Sequence, residues 1–322
     1  MSDLVPDKIL SLLKKKESYI SGEDISAQLN ISRQALWKHI QDLKDSGYTI
    51  EAVPHLGYRL EASPDRLFEF EVSRGLNTKT LGKKLFYFDT LTSTIDMAMD
   101  LGVKGASSGT LVLAESQTKG KGRLGRSWFS PKYKGLYISL ILRPDMLPTQ
   151  APILTLLTAV SICEAIKVVS GLDTRIKWPN DILINNKKLC GILTQVVSET
   201  DKIDFVIISA GVNVNNDKKA LTATATSLKE HKKEEICRVS LLQEILRRLE
   251  ENYLVLEKKG AGQILEKWRQ HNTTLGRRVK VYCQHKHNEG EALDIDSDGG
   301  LLLRKDNGLI EKVMAGDVVH CR

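Results

Sequence analysis

Residues 120–131 read Gly-Lys-Gly-Arg-Leu-Gly-Arg-Ser-Trp-Phe-Ser-Pro, and the interpretation of the middle of the chain starts here. The first six residues match G-x-G-x-x-G, and the stretch through Ser127 matches a P-loop in which Arg126 replaces the lysine. Both folds need a helix to begin at the last glycines, because its N-terminal N–H groups hold phosphate. The stretch instead continues without a helical period and ends at Pro131. It is therefore predicted to be a flexible loop, and neither fold is favoured.

Positive charge is concentrated around this loop. The chain carries 47 Lys and Arg against 40 Asp and Glu, a net charge of +7, and residues 119–143 contain no acidic residue. The basic residues of that segment are Lys119, Lys121, Arg123, Arg126, Lys132, Lys134 and Arg143. Bringing a carboxylate to about 4 Å from a phosphate costs about 1 kcal/mol in water and about 4 kcal/mol at an effective dielectric of 20. A cationic glycine loop can offset that repulsion, so a site for two anions is one interpretation and a solvated basic surface loop is the other.

A second cluster, residues 175–183, places Lys177 and Trp178 at the end of a predicted strand. Pro179 stops that strand from continuing inside a sheet, because proline lacks the N–H that a ladder needs. Strand ends beside loops commonly carry functional residues. Taken alone, Lys177 is either a site residue or an ordinary surface lysine.

Residues 1–64 have the pattern of a winged helix-turn-helix domain. Ser21 and Ser32 are predicted N-caps of two helices joined by a short turn, and alternating residues 48–51 and 58–61 predict a hairpin. This segment holds eight Lys and Arg against nine Asp and Glu, a net charge of −1, so a single copy is expected to bind DNA weakly. The residues predicted to face DNA are Ser32, Arg33, Gln34 and Lys38. A winged helix that only docks proteins is the alternative.

The rest of the chain is predicted to form an α+β domain with one central sheet, followed by a small β-barrel. Predicted strands cover residues 85–88, 110–114, 136–142, 182–184, 192–197 and 205–212, and predicted helices cover 94–101, 151–169 and 240–256. Short alternating runs at 279–283, 292–295, 301–303 and 318–319 predict the barrel.

Composition points to a cytoplasmic protein. No stretch of eighteen apolar residues and no signal-like N-terminus occurs. The five cysteines, Cys163, Cys190, Cys237, Cys283 and Cys321, are odd in number and form no C-x-x-C pair, so neither a disulfide framework nor a metal site is predicted. His285 and His287 have no third ligand nearby in the sequence and are read as surface residues.

Several segments together resemble the bifunctional biotin protein ligases, which are also repressors of the biotin operon. Residues 32–40 and the turn 54–58 resemble the DNA-binding domain of that class, and residues 120–131, 177–181, 188–193 and 211–213 look like its successive ligase signatures. The resemblance implies a winged helix-turn-helix DNA-binding domain at 1–64, a biotin- and ATP-binding catalytic domain at 65–272, and an SH3-like β-barrel at 273–322.

The activity that the resemblance implies has two steps. The biotin carboxylate is joined to the α-phosphate of ATP, carried with Mg²⁺, and the biotinyl group then passes from biotinyl-5'-AMP to a lysine of a carrier domain. Arg123 and Lys177 are the implied catalytic residues. The implied biotin-binding residues are Ser93, Thr94, Ile95, Gln117, Lys121, Gly122, Arg123 and Lys177. Those placed nearer the nucleotide are Arg126, Asn180 and Asn213.

Two positions depart from the family pattern. Ile95 stands where the family usually has asparagine, so only its backbone is left to make polar contacts. Lys121 stands where the family usually has arginine, which keeps the charge but loses one planar fork of donors. Weaker retention of the adenylate is expected, with activity kept.

The implied partners are the biotin carboxyl carrier domain of acetyl-CoA carboxylase or a similar carboxylase, operator DNA, and a second copy of the chain in a homodimer on DNA. Biotinyl-5'-AMP is the implied corepressor, and no membrane partner is expected. Two other functions stay open from sequence: a regulator that senses a small acid without turning it over, and a lipoate ligase.

Overall fold

The computed structural model describes residues 4–16, 18–283 and 286–320. His285 and Cys321, named above, lie outside these residues. The chain divides into two compact units, residues 1–66 and residues 67–322. The boundary between the two units, after residue 66, lies two residues beyond the boundary predicted at residue 64. The predicted catalytic and C-terminal parts fall within one unit, so their separation at residue 272 stays a prediction.

The first unit contains three helices and a two-stranded antiparallel sheet, which include the two helices and the hairpin predicted above. The elements are α1 (Val5–Lys15), α2 (Gly22–Leu29), α3 (Arg33–Asp45), β1 (Thr49–Val53) and β2 (Gly57–Ala62). Both predicted caps are present, since Ser21 Oγ accepts from Asp24 N at 3.0 Å and Ser32 Oγ accepts from Ala35 N at 3.1 Å. Leu36, the first buried residue of α3, packs with Ile40 and Leu43 on the core face of that helix.

The hairpin of this unit closes against the chain before α2. Ile20 and Tyr58 exchange backbone hydrogen bonds of 3.0 and 2.9 Å. Gly57 has φ of +109°, and a Cβ there would lie 2.0 Å from the carbonyl oxygen of Ile20. Only glycine fits that close approach.

The second unit is organised around a seven-stranded mixed sheet with the order β3-β4-β5-β9-β8-β7-β6. Its strands are β3 (Leu85–Phe88), β4 (Leu111–Ala114), β5 (Gly135–Leu142), β6 (Arg175–Lys177), β7 (Asp181–Ile184), β8 (Lys187–Ser198) and β9 (Ile203–Asn213). Pairing is antiparallel except between β3 and β4, which run parallel. The predicted strands of the central sheet are confirmed.

Helices cover the sheet of the second unit. They are α4 (Glu69–Ser73), α5 (Thr94–Val103), α6 (Pro152–Ser170), α7 (Leu228–Lys232), α8 (Arg238–Lys259) and α9 (Gly262–His271). The segment Pro148–Ser170 is long and apolar enough to cross a membrane by composition, but 72% of its apolar window is buried in the unit, as expected of a core helix. The sequence did not predict α4, α7 or α9.

A five-stranded antiparallel sheet follows, with the order β13-β12-β11-β10-β14. The strands are β10 (Arg278–Cys283), β11 (Lys286–Ile295), β12 (Leu301–Arg304), β13 (Ile310–Val313) and β14 (Asp317–His320). Its buried side chains, such as Val279 and Leu301, belong to the same apolar core as the central sheet. Within the described residues β13 and β14 are edge strands that do not pair with each other, so closure into a barrel is not seen.

A buried ion pair fixes the end of β4, which leads into the candidate site. Arg238 Nη1 donates to Glu115 Oε2 at 2.6 Å, and both side chains are fully buried. Glu115 Oε1 also accepts from Leu67 N at 2.8 Å. Removing one member would leave an uncompensated buried charge, so replacing either residue alone should strongly destabilise the second unit.

Candidate active site

A cavity of about 480 Å³ opens in the second unit at the first residues of β8 and the last residues of β9. Its walls come from the start of α5, the loop of residues 117–129, the two strands and the segment 220–225. The predicted site residues that line it are Ser93, Thr94, Ile95, Gln117, Lys121, Gly122, Arg123, Arg126, Asn180 and Asn213. Residues that lie far apart in the sequence therefore meet at one cavity.

One end of the cavity presents a network of small polar groups. Gln117 Oε1 accepts from the backbone N and Oγ1 of Thr94 at 2.8 and 3.1 Å, and Gln117 Nε2 donates to Ser130 Oγ at 2.9 Å. Ser93 caps α5 by position, yet its Oγ is buried and has no hydrogen-bond partner among the described residues. An unpaired buried hydroxyl at a cavity wall is a group that a polar ligand can satisfy.

Ile95 lies beside this network with an exposed fraction of only 2%. Its side chain packs in the apolar cluster that contains Ala98 and Phe205. It can contribute apolar contact but no side-chain hydrogen bond to a ligand, in agreement with the expectation from the sequence.

The glycine-rich loop contains no α-helix, as predicted. It makes a single 3-10 turn at Arg123–Gly125, and Leu124 within it has φ of +55°. Gly122 N donates to the carbonyl oxygen of Arg126 at 2.7 Å, which closes the turn. Lys121 Nζ lies 2.5 Å from Asp96 Oδ1 on α5.

Arg123 joins the two basic clusters that the sequence singled out. Its Nη1 donates to Asn180 Oδ1 at 2.7 Å, and both terminal nitrogens lie 3.3 Å from the carbonyl oxygen of Gly316. Asn180 is itself held, since its Nδ2 donates to the carbonyl oxygen of Ile192 at 2.8 Å. Asn213, at the end of β9, is fixed in the same way by a 3.0 Å hydrogen bond to the carbonyl oxygen of Thr226.

Asp317, the first residue of β14, was not predicted as a site residue. Its carboxylate forms a salt bridge with Arg126 and lies 3.7 Å from Arg123 Nη1. The single carboxylate of Asp317 therefore lies near both loop arginines and offsets part of their positive charge. The sequence carried no local signal for this, because Asp317 is separated from the loop by most of the second unit.

Lys177 does not line this cavity but an adjoining one of about 560 Å³. Arg126, Asn180, Asp181 and Asp317 line both cavities. Burial lowers the pKa of Lys177, and Asp181, its register partner across β6 and β7, counteracts that effect. Lys177 Nζ makes no hydrogen bond or salt bridge with any residue that the structure describes, so its charge is available to a ligand.

Two further residues shape the main cavity and were not assigned a role from sequence. The indole of Trp128 lies against β8 and β9, where a Cβ on Gly211 would meet it at 2.4 Å and a Cβ on Gly191 at 3.0 Å. Lys188 Nζ lies 5.6 Å from the centre of that ring and 2.6 Å from Asp181 Oδ1. The two glycines leave the space in which Trp128 and Lys188 lie.

In the first unit, the residues predicted to contact DNA lie at the start of α3. Ser32 caps the helix, and Arg33, Gln34 and Lys38 are exposed. Arg33 Nη2 lies 2.7 Å from Glu23 Oε2 in a salt bridge whose side chains are 72% and 76% exposed, so it costs little to break. Trp37, on the same helix, is 58% exposed and was not predicted as a contact.

Comparison with known proteins decides the family. Residues 85–213 match the biotin/lipoate A/B protein ligase family, residues 7–59 match a helix-turn-helix domain, and residues 274–321 match the biotin protein ligase C-terminal domain. The bifunctional ligase/repressor BirA of Bacillus subtilis is 40% identical over 321 residues, covering 98% of both chains. The chain belongs to the bifunctional biotin protein ligase/repressor family.

Other members of this ligase family match over different lengths. The bifunctional ligase/repressor BirA of Escherichia coli is 30% identical over 98% of this chain and 96% of its own. The biotin protein ligase from Aquifex aeolicus, solved in complex with biotin and ATP, matches with a TM-score of 0.64 and 29% identity, covering 74% of this chain and 99% of its own. The fold of this ligase is therefore shared by about three quarters of the chain.

Proposed function

We propose that this chain is an ATP-dependent biotin protein ligase that also represses transcription of the genes for biotin biosynthesis and uptake. The observation that carries the proposal is the cavity that brings Ser93, Thr94 and Gln117 together with Arg123 and Arg126 in a chain of this family. One end offers uncharged donors and acceptors, and the other offers fixed cations. This arrangement suits a molecule with a polar neutral ring and a carboxylate that must meet a phosphate.

The neutral end is proposed to bind the ureido ring of biotin. The unpaired Oγ of Ser93 and the amide of Gln117 supply the polar contacts. Ile95 supplies apolar contact, in keeping with the hydrocarbon part of biotin. Lys121 and Gly122 are proposed to close over the ligand, with the lysine exchanging its exposed partner Asp96 for a substrate anion.

The cationic end is proposed to carry out the first half-reaction. Arg123 binds the biotin carboxylate or the α-phosphate with paired hydrogen bonds, and Lys177 lies across the shared wall between the cavities. Their charges stabilise the negative charge that develops as the carboxylate oxygen attacks phosphorus. Arg126, Asn180 and Asn213 are proposed to hold the nucleotide. Mg²⁺ is proposed to enter on the ATP phosphates with most of its own water ligands.

In the second half-reaction, a lysine of the biotin carboxyl carrier domain of acetyl-CoA carboxylase, or of a similar carboxylase, is proposed to attack the acyl carbon of biotinyl-5'-AMP. An amide bond forms and AMP leaves. The support is the family of the chain, in which relatives are named as biotin–[acetyl-CoA-carboxylase] ligases, one of them from Mycobacterium tuberculosis with 31% identity over 73% of this chain.

The repressor function is proposed to depend on a homodimer. Residues 1–64 carry a net charge of −1, so a single copy has little electrostatic attraction for DNA. Two copies that bind two half-sites would supply the affinity. Biotinyl-5'-AMP is proposed to act as corepressor by ordering the loop of residues 120–131 and strengthening the dimer. Ser32, Arg33, Gln34 and Lys38 are the proposed DNA contacts.

Three structural assignments are proposed alongside the function. The five-stranded C-terminal sheet is proposed to be an SH3-like barrel, supported by the register shift between residues 292 and 294 that bends β11. The domain boundaries are proposed at 1–64, 65–272 and 273–322. The protein is proposed to act in the cytoplasm, where its carboxylase substrate and the operator would be found.

The test of the function is to incubate the protein with biotin, ATP, Mg²⁺ and a carrier domain and to measure biotin on the carrier lysine. Transfer of one biotinyl group supports the proposal. Transfer of lipoate in place of biotin would make the protein a lipoate ligase. Biotin-responsive DNA binding without pyrophosphate release would make it a sensor that does not catalyse.

A further inference from the structure

We infer that Ser209 on β9 accepts a hydrogen bond from an N–H group of the ureido ring of biotin, and that Ser139 on β5 fixes Ser209 in this role. The inference deepens the ligase function proposed above and rests on it. Ser209 lines the main cavity and lies directly opposite Ser139 in the pairing of β5 with β9. The two Oγ atoms are 2.7 Å apart, and Ser139 is fully buried.

The directions of the hydrogen bonds behind this pair are fixed at Gln117. Its Oε1 accepts from Thr94 N at 2.8 Å, and because a backbone N–H can only donate, this contact sets the orientation of the amide. Thr94 Oγ1 lies 3.1 Å from the same oxygen, so the hydroxyl proton of Thr94 is given to Gln117. At the other end of the amide, Nε2 donates to Ser130 Oγ, whose proton goes to the carbonyl oxygen of Trp128. Both ends of the amide therefore require the same orientation.

The same direction continues from Thr94 to the cavity. Each hydroxyl has one proton to donate. Thr94 has given its proton to Gln117, so in the 2.9 Å contact between Ser139 Oγ and Thr94 Oγ1 the serine is the donor. Ser139 then has no proton left for Ser209, so Ser209 donates to Ser139. The hydroxyl of Ser209 can therefore offer only its lone pairs to a ligand.

Burial makes this direction difficult to reverse. Ser139 and Thr94 are 0% and 3% exposed, so water cannot replace a lost partner. If Thr94 donated to Ser139 instead, its oxygen and Gln117 Oε1 would face each other as two acceptors. A buried polar group without a partner is unfavourable, so the chain of hydroxyls holds one direction.

The ligand that fits is one with an N–H group beside a carbonyl group. Ser209 supplies an acceptor for the N–H. Ser93 Oγ lines the same cavity and has no partner among the described residues, so it keeps a proton for the carbonyl oxygen. A cyclic urea carries both groups side by side. A ring oxygen in place of that N–H would put two acceptors against each other in a site with little water, so such a ligand should be rejected.

The experiment measures dissociation constants by calorimetry on the full chain. The ligands are biotin and its two cyclic carbamate analogues, each with a ring oxygen in place of one ureido N–H. Desthiobiotin, which keeps both N–H groups, is the ligand control. The variants are Ser209→Ala and Ser139→Ala. Ser170→Ala is the control variant, because it removes a buried hydroxyl at the end of α6 that lines neither cavity.

Wild type is expected to bind biotin about 10- to 100-fold more tightly than one of the two carbamates. Ser209→Ala should weaken biotin and desthiobiotin by about 10-fold and leave that carbamate nearly unchanged, so the preference for biotin becomes smaller. In Ser139→Ala the proton of Ser209 is free to turn to the ring oxygen, so binding of the carbamate should improve relative to biotin. Ser170→Ala should keep the wild-type ratio.

An unchanged ratio of biotin to carbamate affinity in Ser209→Ala would overturn the inference, and so would an equal loss for all four ligands, which would indicate a packing defect. An unchanged ratio in a folded Ser139→Ala would remove the role given to Ser139. If Ser139→Ala does not fold, the Ser209→Ala ratios decide alone.

The wild-type protein separates failure of the inference from failure of the function. Formation of biotinyl-5'-AMP without a preference for biotin over either carbamate would refute the inference and leave the ligase function standing. A wild-type protein that neither binds biotin nor forms biotinyl-5'-AMP would refute the proposed function, and the inference with it.

Discussion

Arg123 Nη1 donates a 2.7 Å hydrogen bond to Oδ1 of Asn180, a residue 57 positions later in the chain. This contact joins the glycine-rich loop to the turn between β6 and β7. Asn180 can hold the arginine because its own amide is fixed on the carbonyl oxygen of Ile192 at 2.8 Å. The amide of Asn180 therefore helps to position the guanidinium of Arg123, together with the carbonyl oxygen of Gly316.

Replacing that amide is expected to impair adenylation. Asn180→Ala frees Arg123 and leaves the Ile192 carbonyl without its partner, so biotin-dependent pyrophosphate release should fall about 10- to 100-fold and stability should drop by about 1–3 kcal/mol. Steady-state kinetics and urea denaturation measure the two effects. Full activity in the variant would show that Arg123 does not need this contact.

The charge of Lys177 is expected to set the alkaline limit of activity. Burial lowers its pKa, and the nearby charges of Lys188 and Arg126 lower it further, against Asp181 and Asp317. As pH rises through this lowered pKa, the ammonium loses its proton. The decline of kcat/KM for adenylation should therefore set in at a pH below about 10.4, the pKa of a free lysine.

Two substitutions test this assignment. Lys177→Arg keeps its charge to higher pH, so the alkaline decline of kcat/KM should shift to higher pH. Lys177→Ala should abolish adenylate formation, while circular dichroism shows that the protein stays folded. An active Lys177→Ala, or an unchanged pH profile in Lys177→Arg, would assign the decline to another group.

The sequence predicted the parts of this site that depend on local chemistry. Ser32 and Ser21 are caps because a hydroxyl there satisfies nearby N–H groups, and the loop at residues 120–131 lacks an α-helix because its pattern has no helical period. Such signals lie within a few residues of each other, so one sequence is enough to read them.

Long-range neutralisation of the loop could not be predicted. Counting residues 119–143 gave seven cations and no acid, yet Asp89, Asp96 and Asp317 reach four of those cations from other segments. Arg143 is not part of the loop surface at all, since it donates to the carbonyl oxygens of Gly102 and Ala106. These pairings depend on how strands and helices pack, which a count along the chain does not contain.

Substitutions at the proposed DNA contacts of the first unit should change operator binding without changing biotin ligation. Arg33→Ala removes a fork donor from the exposed start of α3 and is expected to weaken operator binding by about 1–3 kcal/mol, with biotin transfer unchanged. Lys258→Ala, which removes one positive charge from the exposed end of α8, is the control for net charge. Equal operator binding by wild type and Arg33→Ala in a fluorescence anisotropy titration would place the contact elsewhere.

Glu250 is expected to make the stability of the second unit sensitive to acid. Its carboxylate accepts from the backbone N of Lys79, Thr80 and Leu81 at 2.6, 2.7 and 2.9 Å. Burial alone would raise its pKa, but these three donors lower the pKa below the usual range of glutamate. The stabilisation is present above the unfolded pKa of about 4.3 and is lost as pH falls through the lower folded value.

Glu250→Gln should therefore lower the free energy of unfolding by about 1–3 kcal/mol near neutral pH. This difference from wild type should become smaller below pH ~4. Urea denaturation followed by the fluorescence of the buried Trp178 and Trp268 measures it. Glu266→Gln, at an exposed position of α9, should show no such trend. A pH-independent difference would mean that the carboxylate charge is not what binds the three N–H groups.

The most direct test of the central claim is a crystal structure of the protein grown with biotin, ATP and Mg²⁺. We predict electron density for biotinyl-5'-AMP in the main cavity, with the ureido ring at Ser93 and Gln117, the phosphate at Arg123 and the nucleotide towards Asn213. A cavity without biotin density, or biotin bound away from Ser93 and Gln117, would contradict the account.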